Sequence, residues 1–175
     1  MDNEPGERNM QDIHNILVAV DKSGSALRAA KYVADMIDGN PSFQVQLLHL
    51  ELPPRMLEWG GSEDPDVEDQ VSEERAQAYT QMEQQVAVKT QSLFDRLRAI
   101  FAPRGTHVTG RYLEFQEPLD AESTTKAILD AAKEHGCGTV VVGRKSFSGL
   151  QSLFQHHVAE ELIGDDGGIA VWVVE

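Results

Sequence analysis

Thr139-Val-Val-Val142 is a run of β-branched residues fenced by Gly138 and Gly143. Short, unbroken apolar runs are what strands buried on both faces look like, and such strands belong to parallel sheets covered by helices. A loop follows, Gly143 to Phe147, and then Ser148 with Gln151 three residues on, the spacing of a helix capping box. A strand, a loop and a capped helix in that order aim free backbone N–H groups and the positive end of a helix dipole at the carboxyl edge of a sheet. That edge is where α/β proteins hold anionic ligands.

The rest of the chain repeats this alternation. Ile16-Leu-Val-Ala-Val20 reads as a second buried strand, stopped by the cap- and turn-rich Asp21-Lys-Ser-Gly-Ser25. Ser23 or Ser25 can cap the next helix, predicted over Ala26 to Asp38 from Leu27, Ala30, Val33, Ala34 and Ile37 at helical spacing. Gly39-Asn40-Pro41 ends it. Phe43 to Leu52 reads as a strand, closed by Pro53-Pro54. Glu73 to Phe101 reads as a long helix, its apolar spacing (Tyr79, Met82, Val86, Leu93, Leu97, Ile100) broken at Thr90. It is longer than a small sheet needs, so it packs as a crossover and breaks or overhangs, and an overhang offers an extra oligomer surface. His107 to Phe115 is a less apolar strand, expected nearer an edge, and Ala121 to His135 a helix with Ile128, Leu129 and Ala132 inward. His135-Gly-Cys-Gly138 reads as a tight turn. After the Thr139–Val142 strand comes a helix carrying Leu150, Leu153, Phe154, Val158 and Leu162, broken by Gly164 to Gly168. Ile169 to Val174 is a last, apolar strand.

Strands alternating with helices imply an α/β fold: a doubly wound, five-stranded parallel sheet with helices on both faces. At 175 residues it forms one domain, expected over 13–175 after a mobile acidic tail, 1–12. Between Glu58 and Glu74 there are eight acidic residues and no basic one, read as a solvated acidic loop at about 55–72. The acids lack the alternating pattern of an EF-hand. An apolar last strand on a sheet edge would aggregate if bare, and pairing with the same strand of a second copy covers it.

The net charge of −14 repels nucleic acid and anionic membrane surfaces as general partners. Cys137 is the single cysteine, so no internal disulfide forms, and it reads as a small buried residue rather than a nucleophile. The acidic start is not signal-peptide-like and no apolar stretch spans a bilayer, so the expectation is cytoplasmic.

Ile16-Leu-Val-Ala-Val-Asp21 with its Ser-containing loop and Ala-rich helix resembles the opening of the universal stress protein family. Leu47-Leu-His-Leu50 resembles its second strand. Thr139 through Leu150, Val158-Ala-Glu160 and Ile169-Ala-Val-Trp-Val-Val174 resemble its closing segment. The resemblance implies the same five-stranded fold and a homodimer through the C-terminal strand, Ile169–Val174. Many members bind ATP with a glycine pattern: Gly, two residues, Gly, nine residues, then Gly followed by Ser or Thr. Here Gly143 keeps the first position, while Ser146, His156 and His157 replace the others. Asp21, which in ATP-binding members contacts the nucleoside, is kept. So are apolar residues placed to touch a base: Ala19, Leu50, Val142 and Val158.

Two functions compete. In the first the chain is a non-enzymatic, dimeric stress-response protein without the usual ATP site, acting through protein partners. In the second it is a switch protein binding ATP or AMP through a modified phosphate pocket of Arg144, Lys145, His156 and His157. An enzyme is not expected: there is no Walker A loop, no Gly-x-Ser-x-Gly elbow, no His-Glu-x-x-His, and no His-x-Gly-His signature of adenylyl-transferring relatives of the fold. Neighbouring helix positions point about 100° apart, so His156 and His157 are a poor zinc pair.

Overall fold

The apolar runs become five parallel strands in the computed structural model, which describes residues 12–51, 65–114, 120–147, 158–164 and 168–175. In order these are β1 (Asp12–Val20), α1 (Gly24–Ile37), β2 (Gln44–Glu51), α2 (Pro65–Phe101), a 3-10 turn (Ala102–Arg104), β3 (Val108–Glu114), α3 (Ala121–Glu134), β4 (Cys137–Gly143), α4 (Val158–Gly164) and β5 (Ala170–Val174). The sheet runs β3-β2-β1-β4-β5, and every neighbouring pair is parallel.

Strand side chains alternate between faces, so each central strand feeds two cores. Ile16, Val18 and Val20 of β1 meet α1 and α2 through Ala30, Val33, Leu97 and Phe101. Leu17 and Ala19 meet α3 and α4 through Ile128, Ala132, Val158 and Leu162. The continuous apolar spelling of β1 and β4 follows from this double burial. β3 lies at one edge, as its polar spelling implies, and β5 at the other. Ile128, Leu129 and Ala132 of α3 are buried.

The caps explain the helix bounds. Ser23 is the N-cap of α1 and accepts from the Ala26 N–H, while Asp38, in the left-handed region at φ 41°, closes it. Gly39 follows at φ 72°, where a Cβ would collide with the Arg104 carbonyl oxygen. Asp120 caps α3 in a reciprocal box with Ser123, and the Ser123 N–H donating to its carboxylate holds that acid below the usual aspartate range.

Several expectations shift. α2 begins at Pro65 rather than Glu73, so residues 65–72 of the expected acidic loop are helical. Proline suits the first position of a helix, where its missing N–H would have no intrahelical acceptor. β1 begins at Asp12, whose N–H donates to the Gly136 carbonyl at 3.2 Å, so the strand reaches one residue into the expected tail. The expected turn over 135–138 is shorter: Gly136 at φ 63° makes it, and Cys137 already belongs to β4. The spacing along α2 is also split. Met82 is 45% exposed, and among residues 76–101 of the helix the buried ones start at Thr90, then Leu93, Phe94 and Leu97. With 37 residues α2 is about 55 Å long against roughly 30 Å for the longest strand, so its first half overhangs the sheet. Residues 1–11, the 52–64 part of the acidic stretch, the Ser148–Gln151 capping box, Leu150, Leu153 and Phe154, and residues 165–167 lie outside the described residues.

Candidate functional site

The sheet order reverses between β1 and β4: β2 and β3 lie on one side of β1, β4 and β5 on the other. In open parallel sheets the crevice beyond the carboxyl ends of the strands at such a reversal is where ligands settle. Two segments meet there, Asp21–Ser25 after β1 and Gly143–Phe147 after β4.

Asp21 joins them. One carboxylate oxygen accepts from the Ser23 N–H at 3.0 Å and the Ser23 hydroxyl at 2.5 Å, and the other accepts from the Phe147 N–H at 2.6 Å. Ser25 makes a second clamp, its hydroxyl accepting from the Lys145 N–H at 3.3 Å. The loop folds on itself where the Ser146 N–H donates to the Gly143 carbonyl at 2.9 Å, and it is tied to β5 where the Arg144 N–H donates to the Val174 carbonyl at 2.7 Å. The four consecutive amides of residues 144–147 are thus all spent inside the chain.

Gly143 is required by this closeness. A Cβ there would fall on the Ser25 hydroxyl and 2.7 Å from both the Ser25 carbonyl carbon and Ser146 Oγ. Ser146 is buried, and its hydroxyl has no hydrogen-bond partner among the described residues. Phe147 adopts φ 64°, uncommon for a bulky L-residue, and its side chain is buried at 2% exposure.

The apolar site residues read from the sequence come together. Ala19, Leu50, Val142 and Val158 share one buried cluster with Phe147. Their exposures are 0%, 5%, 0% and 1%, so none offers accessible surface to a base. Asp21, Gly143 and Ser146 sit at the crevice, whereas His156 and His157 lie outside the described residues. Arg144 is exposed and paired with Glu175, whose hydrogen-bonded carboxylate raises the guanidinium pKa further. One of the two loop cations therefore already has a carboxylate partner, in an exposed pair. Ser25 as a clamp and Phe147 as a buried ring are additions to the sequence reading, which placed Ser25 only as a possible cap. Among the described residues no group of His, Cys, Asp and Glu side chains converges to hold a metal, and no helix is long and apolar enough to cross a membrane.

The fold and this crevice can be set against known proteins. The family model described as the universal stress protein family matches residues 12–165. The chain belongs to the universal stress protein family. No curated protein sequence matches it. Solved structures of this family superpose along nearly the whole chain. One from Burkholderia pseudomallei is 19% identical, with TM-score 0.54, covering 97% of this chain and 98% of its own. One from Archaeoglobus fulgidus in complex with dAMP is 20% identical, with TM-score 0.54, covering 92% and 97%. A universal stress protein in complex with cAMP is 15% identical, with TM-score 0.55, covering 92% and 95%. At these identities the likeness speaks for the fold, which is the five-stranded α/β sheet expected from the sequence.

Proposed function

We propose that this universal stress protein is a dimeric, non-enzymatic stress-response protein that acts through protein contacts and lacks the usual ATP site. The observation that carries the reading is the saturation of the 144–147 amides. A phosphate cradle works by pointing free backbone N–H groups at the anion. The amides of 144–147 each already have an acceptor, and giving up such a hydrogen bond is costly. The dimer reading rests on β5: an edge strand whose Val171, Trp172 and Val173 are half-buried in one copy, and whose outer edge can pair with that of a second copy.

The test is calorimetric titration of ATP and AMP, with and without magnesium, at pH 6 and pH 8. No heat at about 1 mM nucleotide is the expected result. Saturable heat in wild-type protein would sink the reading.

A second reading, an adenine-nucleotide switch with a rebuilt phosphate pocket, is favoured by the dAMP and cAMP complexes of the solved relatives. On it Lys145, Arg144, His156 and His157 meet phosphate by charge. Histidine gains its proton as pH falls toward 6, so binding would then be tighter at pH 6 than at pH 8. The same titration separates the two readings.

A further inference from the structure

α3 and α4 lie side by side on one face of the sheet, joined beneath through Ile128, Ala132, Val158 and Leu162. A groove of about 560 Å³ runs between them. Thr125 and Leu129 of α3, 7% and 4% exposed, lie lowest in it. Lys126 and Lys133 line it from α3, two turns and about 10 Å apart along the helix. Glu160 and Glu161 line it from α4.

Opposite charges thus border one groove without closing on each other. Among the described residues neither lysine is in an ion pair, whether with the α4 carboxylates or with Glu122 and Asp130 of its own helix. Glu160 has only a longer-range attraction to Arg144. Exposed ion pairs are worth little, so these charges alone do not mark a site. Thr125 does. Its hydroxyl is buried and has no hydrogen-bond partner among the described residues. A threonine inside a helix can turn its hydroxyl back onto a carbonyl of the preceding turn, and this one does not. Buried hydroxyls are normally satisfied, and an exception calls for an explanation. The groove that Thr125 lines is the side from which a partner can come.

We propose that the α3–α4 groove binds a zwitterionic ligand of dipeptide size. The ligand's ammonium group meets Glu160 and Glu161, and its carboxylate meets Lys126 and Lys133. Its amide hydrogen-bonds the Thr125 hydroxyl, and an apolar side chain rests on Leu129. A simple anion would meet the carboxylates of both helices, and a simple cation would meet both lysines. Only a bipolar ligand suits the two walls together. It also carries no net charge, so the −14 of the whole chain does not repel it. The groove's volume lies in the range of about 300–1,000 Å³ typical of small-molecule sites, which is roomy for a lone ion. The site lies away from the β1–β4 crevice and stands whether or not a nucleotide binds there.

The experiment titrates glycyl-leucine, N-acetyl-glycyl-leucine and glycyl-leucinamide into full-length protein at pH 7, following the backbone amide resonances of α3 and α4. Acetylation removes the ammonium charge and amidation the carboxylate. The free dipeptide should bind at least about fivefold more tightly than either blocked form. Lys126→Gln with Lys133→Gln should abolish the preference over the amide and keep the preference over the acetyl form. Glu160→Gln with Glu161→Gln should do the reverse. Thr125→Val keeps the shape and removes the hydroxyl. It should weaken free dipeptide about threefold or more while melting no lower than wild type, because no partner is left behind. No saturable shift in α3 and α4 at about 20 mM free dipeptide overturns the proposal, as does a blocked form that binds within about twofold of the free one. Charge replacements that leave both preferences intact overturn it as well.

Discussion

The crevice between β1 and β4 and the outer edge of β5 treat their backbone groups in opposite ways. At the crevice, where folds of this kind bind ligands, the 144–147 amides are turned inward onto Asp21, Ser25, Gly143 and Val174. At β5 the strand pairs with β4 on one side only. The opposite edge sharpens the contrast. β3 carries exposed Thr109 and Arg111, the latter paired with Glu134 at 3.4 Å, and charge on an edge discourages pairing. β5 spells Ala-Val-Trp-Val-Val and carries no charge until Glu175. Among the described residues, the free backbone edge of β5 is the better suited to a further strand, and the 144–147 amides have no donor left for a ligand.

The largest expected effect comes from breaking the open side. Val171→Asp should convert a dimer into a monomer in sedimentation, with circular dichroism confirming that the sheet persists; a dimer that survives places the interface elsewhere. Breaking the closed side comes next. Asp21→Ala removes the acceptor of three hydrogen bonds and should cost about 3 kcal/mol in urea unfolding, whereas Asp21→Asn, which keeps an acceptor oxygen, should cost less than half of that. Equal losses in the two variants would mean that the charge, not the clasp, matters.

Gly143→Ala tests the same closure sterically. Its Cβ would overlap Ser25 and Ser146, at a cost of about 1–3 kcal/mol, and a neutral result would show the loop standing further from α1 than described. A control lies at the amino end of β4, away from both regions. Burial raises the Cys137 thiol pKa from 9.0 to about 11. The unfolded chain therefore loses that proton first, so this contribution is intact below pH 9 and is lost as pH rises through about 11. Cys137→Ala should flatten that alkaline decline without changing the oligomer or the crevice.

The sequence carried the architecture where burial is uniform. Ile16–Val20 and Thr139–Val142 are apolar on both faces because helices cover both, so the strands and their parallel pairing are legible as unbroken runs. It failed at ends that face water: β1 emerges at Asp12–Asn15, where only Ile13 is apolar and it is exposed, and the acid-rich start of α2 reads equally well as a loop. Thr90, which interrupts the spacing along α2, marks the junction between the overhang and the packed half. The apolar residues Ala19, Leu50, Val142 and Val158 were legible as buried positions and share one core cluster, and Asp21 was legible as the residue at which β1 stops. Phe147 was not, because Lys-Ser-Phe-Ser contains no glycine to announce a positive φ. Its left-handed turn is imposed by Asp21, which is 126 positions away in sequence.

Hydrogen exchange of the backbone amides in wild-type protein is the most direct test of the crevice's closure. Saturated donors predict that Lys145, Ser146 and Phe147 exchange slowly, with Phe147 the most protected because its acceptor is a charged carboxylate at 2.6 Å. Exchange at the rate of an open loop at all three positions would mean that the amides are free to meet a phosphate, and would contradict the account.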